Sequence, residues 1–296
     1  MKKLDRMKDK AFPYLMCLPA LILFIVFILT PFFTGLYTSF QKWDGYGEMQ
    51  WAGLNNYKFV LEDEVFWQAM QNTLVYAVLV TIVKNLLSLG LAMLLLRKIP
   101  LRTMFRTGIY MPVTMSYVVI GILWVWIYNP TFGLLNQMLT ALGLDSWIVG
   151  WLSDPTYALF SVVWVDIWKW TGYHMVLYMA GLQAIPKDLY EAASIDGANA
   201  WQKFKSITVP QLNGTIVVNV LMAVTGAFVS NYDIVNIMTG GGPFHKTEVS
   251  LTYIMTIAFK YSNMGKASAM SVLLFLAVLV FGFLQLRVMT KEESYD

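Results

Sequence analysis

Long apolar runs alternate with short polar segments along the whole chain. The runs cover about residues 12–40, 71–96, 107–128, 157–182, 214–239 and 267–289. A membrane crossing takes about 20 residues of helix, so each run is long enough to be one span. Pro13, Pro19 and Pro31 bound or kink the first run. Five Lys and Arg precede it, as in a signal peptide, but the run is too long and no small-x-small cleavage site closes it. It reads as a retained span. A shorter helical stretch near residues 251–261 precedes the last run. The pattern predicts an all-α membrane protein with six transmembrane helices. Residues 1–69 form a tail, the first span and an outer loop holding Trp43, Trp51 and Trp67. Residues 70–290 form a five-helix core that includes the 184–212 loop, and residues 291–296 form a second tail.

The 184–212 loop breaks this pattern, because it reads like folded soluble protein. Pro186 suits the first position of a helix, where a missing N–H costs no hydrogen bond. Asp188 and Glu191 place negative charge toward the same helix's N-terminal end. Gly197 suits the residue just beyond its C-terminal end, where φ > 0 is often required. A short helix is expected over Pro186 to about Asp196, and a second over Ala200 to Lys205, with Pro210 restarting the chain. Ala192 and Ala193 leave one patch of the first helix nearly flat. A short helix between two spans has little apolar surface of its own to bury, so it reads as a knob for a partner protein.

Composition narrows the class. With 57% hydrophobic and 13% charged residues and a mean hydropathy of +0.56, the chain is too apolar for a soluble domain. A net charge of +3 suggests no nucleic-acid partner. One cysteine, Cys17, excludes an intrachain disulfide and offers no metal set. The basic residues set the orientation instead. With both termini inside, the inner segments carry 14 of the 21 Lys and Arg and the outer ones 5; Lys84 and Lys169 fall within spans. The knob loop is then cytoplasmic. No G-x-x-x-x-G-K-[ST], G-x-S-x-G or H-E-x-x-H occurs, so neither nucleotide binding by that loop nor self-contained hydrolysis is supported.

Polar residues inside the spans are the candidate chemistry, since a charge at mid-membrane costs about 2.5–3.5 kcal/mol on insertion scales. Asp166, Trp170 and Tyr173 fall at i, i+4 and i+7, on one helix face. A carboxylate with two aromatic rings suits a sugar: an acceptor for hydroxyls and flat faces for the ring. Phe228, Asn231 and Tyr232 make a second patch in the fifth span, with Asp233 and Asn236 just beyond. The same residues also suit core packing, an interfacial aromatic belt, or hydrogen bonds between helices. Lys169 is spaced for a local ion pair with Asp166, and Lys84 requires a buried partner or snorkelling.

Glu191-Ala192-Ala193, Asp196-Gly197-Ala198, Ile207 and Pro210 resemble the EAA loop of permease subunits in bacterial ABC importers, with Val209 where Leu is common. Gly53-Leu54-Asn55-Asn56-Tyr57, Ser230-Asn231-Tyr232-Asp233, Met238-Thr239-Gly240-Gly241-Gly242-Pro243 and Gly265-Lys266-Ala267-Ser268-Ala269 resemble the maltose-type or multiple-sugar-type members. The resemblance implies the type I importer permease fold, with both termini inside and the knob as a cytoplasmic coupling helix. It implies that Tyr190, Glu191, Ala192, Ala193, Asp196, Gly197, Ala198 and Pro210 couple to an ATPase. It implies a substrate path that includes Asp166, Trp170, Tyr173, Phe228, Asn231 and Tyr232, although Trp170 is bulkier than the family position suggests.

The implied partners are a second, homologous permease, two cytoplasmic ATPase subunits that bind ATP and Mg, an extracytoplasmic solute-binding protein, and the lipid bilayer. The chain itself needs no cofactor. The expectation is a multi-pass permease subunit of a bacterial plasma-membrane ABC importer for a sugar or oligosaccharide, not an enzyme. Glycerol phosphate or another polar solute is the alternative cargo. An ion-coupled secondary transporter fits less well, because no internal repeat is evident and the knob would have no purpose.

Overall fold

A computed structural model of the chain describes residues 16–97 and 99–290. The basic segment 1–10, Lys98 and the tail 291–296 lie outside the described residues. The described residues divide into two compact units: those up to Asp63 together with Ile254–Leu276, and those of Glu64–Tyr253 together with the described residues from Ala277 onward.

In the first unit, helix α1 (Met16–Thr38) is apolar, and none of its most apolar stretch is buried against other parts of the chain. Its turn at Ile25–Leu29 widens to π geometry just before Pro31. Proline has no N–H for the carbonyl four residues back and its ring crowds that carbonyl. The wide turn makes room, and Thr30 donates its N–H and its hydroxyl to Ile25 O. A two-residue hairpin follows, β1 (Gln41–Lys42) with β2 (Gln50–Trp51), antiparallel with Gln41 opposite Trp51. Helix α2 (Asn55–Glu62) holds the hairpin: buried Asn56 Nδ2 donates to Ser39 O at 2.9 Å and Gln41 O at 2.8 Å.

The second unit is built on two long helices, α3 (Glu64–Leu96) and, later in the chain, a second described below. α3 runs for 33 residues, about 50 Å at ~1.5 Å per residue, beyond the roughly 30 Å of a bilayer's hydrocarbon core. Next come α4 (Arg102–Thr114), α5 (Tyr117–Ile127) and α6 (Leu134–Ala141). The second long helix is α7 (Ala158–Ala184), which packs most extensively against α3. It leads to α8 (Lys187–Ile195), α9 (Ala200–Gln211), α10 (Asn213–Val229) and α11 (Asn231–Met238). Helix α12 (Ser250–Met255), extended by a π turn over Thr256–Lys260, and α13 (Met264–Thr290) complete the chain; the division between the units falls inside both.

Three of the six expected runs are single helices long and apolar enough to cross a membrane: Met16–Thr38, Glu64–Leu96 and Met264–Phe283. The others are modified by packing. The run expected as one span over 107–128 is two helices, α4 and α5, bent by 106°. Pro112 interrupts the ladder in a 3₁₀ turn, Met111–Thr114. Ser116 then starts α5 by accepting from Val119 N. The run over 214–239 likewise breaks at Ser230, between α10 and α11. α7 has the length of a span but carries Asp166, Lys169 and His174, and 15 of its 27 residues are buried. Its surroundings are largely protein, which is what tolerates those side chains. α9 differs from expectation too: it runs through Pro210 to Gln211, using a π turn at Phe204–Thr208 as α1 does before Pro31.

Small residues let these helices approach. A methyl group on Gly172 of α7 would strike Ile109 O and Tyr110 Cα of α4. Ser88 Oγ donates to Thr171 O at 2.9 Å, and Tyr178 OH to Asn85 Oδ1 at 2.7 Å, so α3 and α7 are stitched by polar bonds beside a core of Ala92, Leu95, Met175, Tyr178 and Met179. Gly172→Val is expected to lose at least about 1–3 kcal/mol, because the obstructing atoms are backbone and have no rotamer to change. A thermal unfolding midpoint of the purified protein equal to wild type would refute that packing.

Candidate functional site

A cavity of about 330 Å³ opens between α3, α7 and α10. α3 contributes Lys84; α7 contributes Asp166, Trp170, Tyr173 and His174; α10 contributes Met222 and Gly226, with Ser230 at its end. The three α7 residues grouped by their spacing are therefore brought together on one wall. Met222, Gly226 and Ser230 follow the same rule at i, i+4 and i+8, a face the sequence reading overlooked in favour of Phe228.

Lys84 Nζ lies 2.8 Å from Asp166 Oδ1, and the two side chains are 3% and 2% exposed. This is the buried partner that Lys84 required. Asp166 Oδ2 accepts from Tyr117 OH at 3.2 Å, and that hydroxyl in turn accepts from Trp170 Nε1 at 2.6 Å. Trp170 and Tyr173 meet edge to face, centroids 5.9 Å apart at 88°. On the same wall His174 Nδ1 lies 2.8 Å from Asn219 Oδ1. Asn219 uses its Nδ2 to donate to Thr215 O, so its oxygen is the acceptor and His174 Nδ1 carries the proton.

Lys169 does not pair with Asp166, contrary to the expectation from spacing. Its ammonium donates to Pro112 O, Val113 O and Met115 O at 2.5–3.4 Å. Pro112 O also accepts from Met115 N in the 3₁₀ turn, whereas Val113 O and Met115 O lie beyond the last helical bond of α4, and a cation is favoured at a helix C-terminus. The rings of Tyr117 and Trp170 flank the same ammonium at 4.9 and 5.2 Å. Tyr117 had no signal in the sequence, since its role depends on the bend that brings it to α7.

Phe228, Asn231 and Tyr232 are not on the cavity wall. Phe228 is buried and packs against Phe281, centroids 6.1 Å apart. Asn231 is fully buried, and neither amide atom has a hydrogen-bond partner among the described residues. Tyr232 is partly exposed.

The second feature is the α8–α9 knob. No residue of α8 is buried. Pro186 sits just outside it rather than at its first position. Gly197 has φ +78°, Gly197 N donates to Ser194 O and Ala198 N to Ala193 O, the paired bonds that close a helix around a left-handed residue. Asn199 and Gln202 then start α9 with a reciprocal capping box. Tyr190 OH and Thr208 Oγ1 meet at 2.9 Å, and Lys203 Nζ donates to Ser194 Oγ at 2.7 Å, fastening the two helices together. Glu191, Ala192, Asp196, Gly197 and Pro210 are exposed, Ala193 and Ala198 partly so. Ile195 and Trp201 are 87% and 68% exposed, so the knob presents apolar side chains that none of the described residues covers.

Residues 84–290 match the family model described as the binding-protein-dependent transport system inner membrane component. The chain is 39% identical over 283 residues to the probable ABC transporter permease protein YurN of Bacillus subtilis, covering 95% of this chain and 96% of that one. It is 36% identical over 279 residues to the trehalose/maltose transport system permease protein MalF of Thermococcus litoralis, covering 93% and 92%. Among solved structures, a chain of a bacterial ABC transporter involved in the import of the acidic polysaccharide alginate superposes with a TM-score of 0.85 at 25% identity, covering 98% of this chain and 99% of that one.

The ion pair supplies the test of this site. Removing one partner strands the other's charge, which costs about 3–5 kcal/mol, whereas removing both is far milder. Lys84→Met and Asp166→Asn are each expected to destabilise the protein strongly, and the double variant to lose less than the sum. Additive losses in thermal unfolding of the three variants would show that the two charges do not interact.

Proposed function

We propose that this chain, which belongs to the family of binding-protein-dependent transport system inner membrane components, carries a sugar or oligosaccharide into the cytoplasm. It is an ABC transporter permease, a membrane component and not an enzyme. In the proposed topology it crosses the membrane six times with both termini inside. α4–α5 and α10–α11 serve as broken spans and α7 as a span sheltered by its neighbours.

The observation that carries the reading is the α8–α9 knob: exposed along α8, fastened to α9 by Tyr190 and Lys203, and tipped by Ile195 and Trp201. A surface of this kind suits a cleft in a second protein. In this proposal the knob docks into a cytoplasmic ATPase subunit, one of two that bind ATP and Mg. A second permease completes the path, and an extracytoplasmic binding protein delivers the cargo. Closure of the ATPase pair moves the knob as a rigid lever, and the spans tip between outward-open and inward-open states. Tyr190, Glu191, Ala192, Ala193, Asp196, Gly197, Ala198 and Pro210 transmit this motion and perform no chemistry. Asp166, Trp170 and Tyr173 contact the cargo in the cavity, and Phe228, Asn231 and Tyr232 support the adjoining wall. Glycerol phosphate or another polar solute is the alternative cargo.

Glu191→Lys reverses an exposed charge, and Gly197→Asp forces a side chain onto a left-handed backbone at a cost of order 1–3 kcal/mol. Both variants are expected to insert into the membrane at wild-type levels. Their uptake of labelled sugar is expected to fall to that of cells lacking the chain. Wild-type uptake by both would reject the lever.

A further inference from the structure

We infer that the cavity between α3, α7 and α10 selects uncharged saccharides over anionic ones. This rests on the reading of the chain as a sugar permease with that cavity on the path. The argument is a charge count at the wall. Among the described residues that line the cavity, Lys84 is the one lysine or arginine and Asp166 the one carboxylate, and they already face each other at 2.8 Å. Lys169, the lysine inside α7, is directed away onto three backbone carbonyls at the end of α4. His174 is held through Nδ1 by Asn219 and needs no charge to make that bond.

An entering phosphate or carboxylate therefore meets no unmatched positive charge. It would either stay unpaired or draw Lys84 from Asp166, stranding a carboxylate that is 2% exposed. An uncharged polyol meets the opposite situation. Asp166 Oδ2 accepts from Tyr117 OH at 3.2 Å, the buried Tyr76 hydroxyl also faces this carboxylate, and its several acceptor sites leave room for a further donor. Trp170 and Tyr173 present ring faces at right angles. Gly226 leaves open space where a side chain would stand. At about 330 Å³ the cavity lies at the small end of ligand sites, ~300–1,000 Å³.

The test uses the transporter complex purified through this chain and reconstituted in lipid. It is photolabelled with short diazirine-bearing neutral oligosaccharides and, separately, with oligouronates of matched length. Labelled peptides are mapped by mass spectrometry. Neutral probes are expected to mark the 166–174 and 222–230 segments, and uronates to mark them on the order of 100-fold less, the factor set by an unpaired charge in the membrane interior. Equal or stronger labelling by uronates would overturn the charge selection while leaving the transport reading intact. No labelling of either segment by any probe, in a complex that does take up a neutral sugar, would remove the cavity from the path and this inference with it.

Discussion

Between α3 and α7 an ammonium and a carboxylate sit 2.8 Å apart with almost no exposure, and neither has water to fall back on. Each charge makes the other tolerable. A slide of one helix past the other by one turn, about 5.4 Å, would strand both. The pair thereby holds the register of the two helices. Ser88 with Thr171, and Asn85 with Tyr178, repeat the constraint farther along the same seam. The cavity exists because this register sets Lys84 beside the face that carries Asp166, Trp170 and Tyr173.

The same accounting explains the broken helices. Where no water is available, a backbone carbonyl freed by a break needs a donor from the protein. The end of α4 finds one in Lys169, which explains why a lysine is found inside α7 without a carboxylate of its own. Pro31 and Pro210 meet a milder form of the problem. Each follows a π turn that gives its ring room, and the helix continues. Pro112 instead lies in a 3₁₀ turn at the end of α4, and the chain bends by 106°. A proline in a helix therefore has two outcomes, decided by the turn before it and by whether a donor waits for the freed carbonyls.

The knob follows other rules. Its helices are closed by local devices: Gly197 in the left-handed region, the Asn199–Gln202 box, and the Tyr190–Thr208 contact. These fasten it as a unit without burying any residue of α8. Its exposed Ile195 and Trp201 contrast with the charges of Lys84, Asp166 and Lys169, each of which meets an opposite charge or carbonyl oxygens within the chain.

The chain's own residues, read in order, determined what depends on near neighbours. Apolar length marked the membrane class, Gly197 and the charges around it marked the knob, and the i, i+4, i+7 spacing put Asp166, Trp170 and Tyr173 on one wall. Helical period and capping are written within about a dozen consecutive residues, so they are legible without a fold. Tertiary structure alone decided the pairings: Lys84 with Asp166 across 82 positions of chain, Lys169 with the end of α4, Tyr117 beneath Trp170, and Phe228 packed against Phe281 away from the cavity. Spacing within α7 suggested Asp166 as the partner of Lys169, and that was wrong. Which charge a buried side chain meets depends on the helix packed beside it and on where that helix breaks, and neither is a property of the segment that carries the charge.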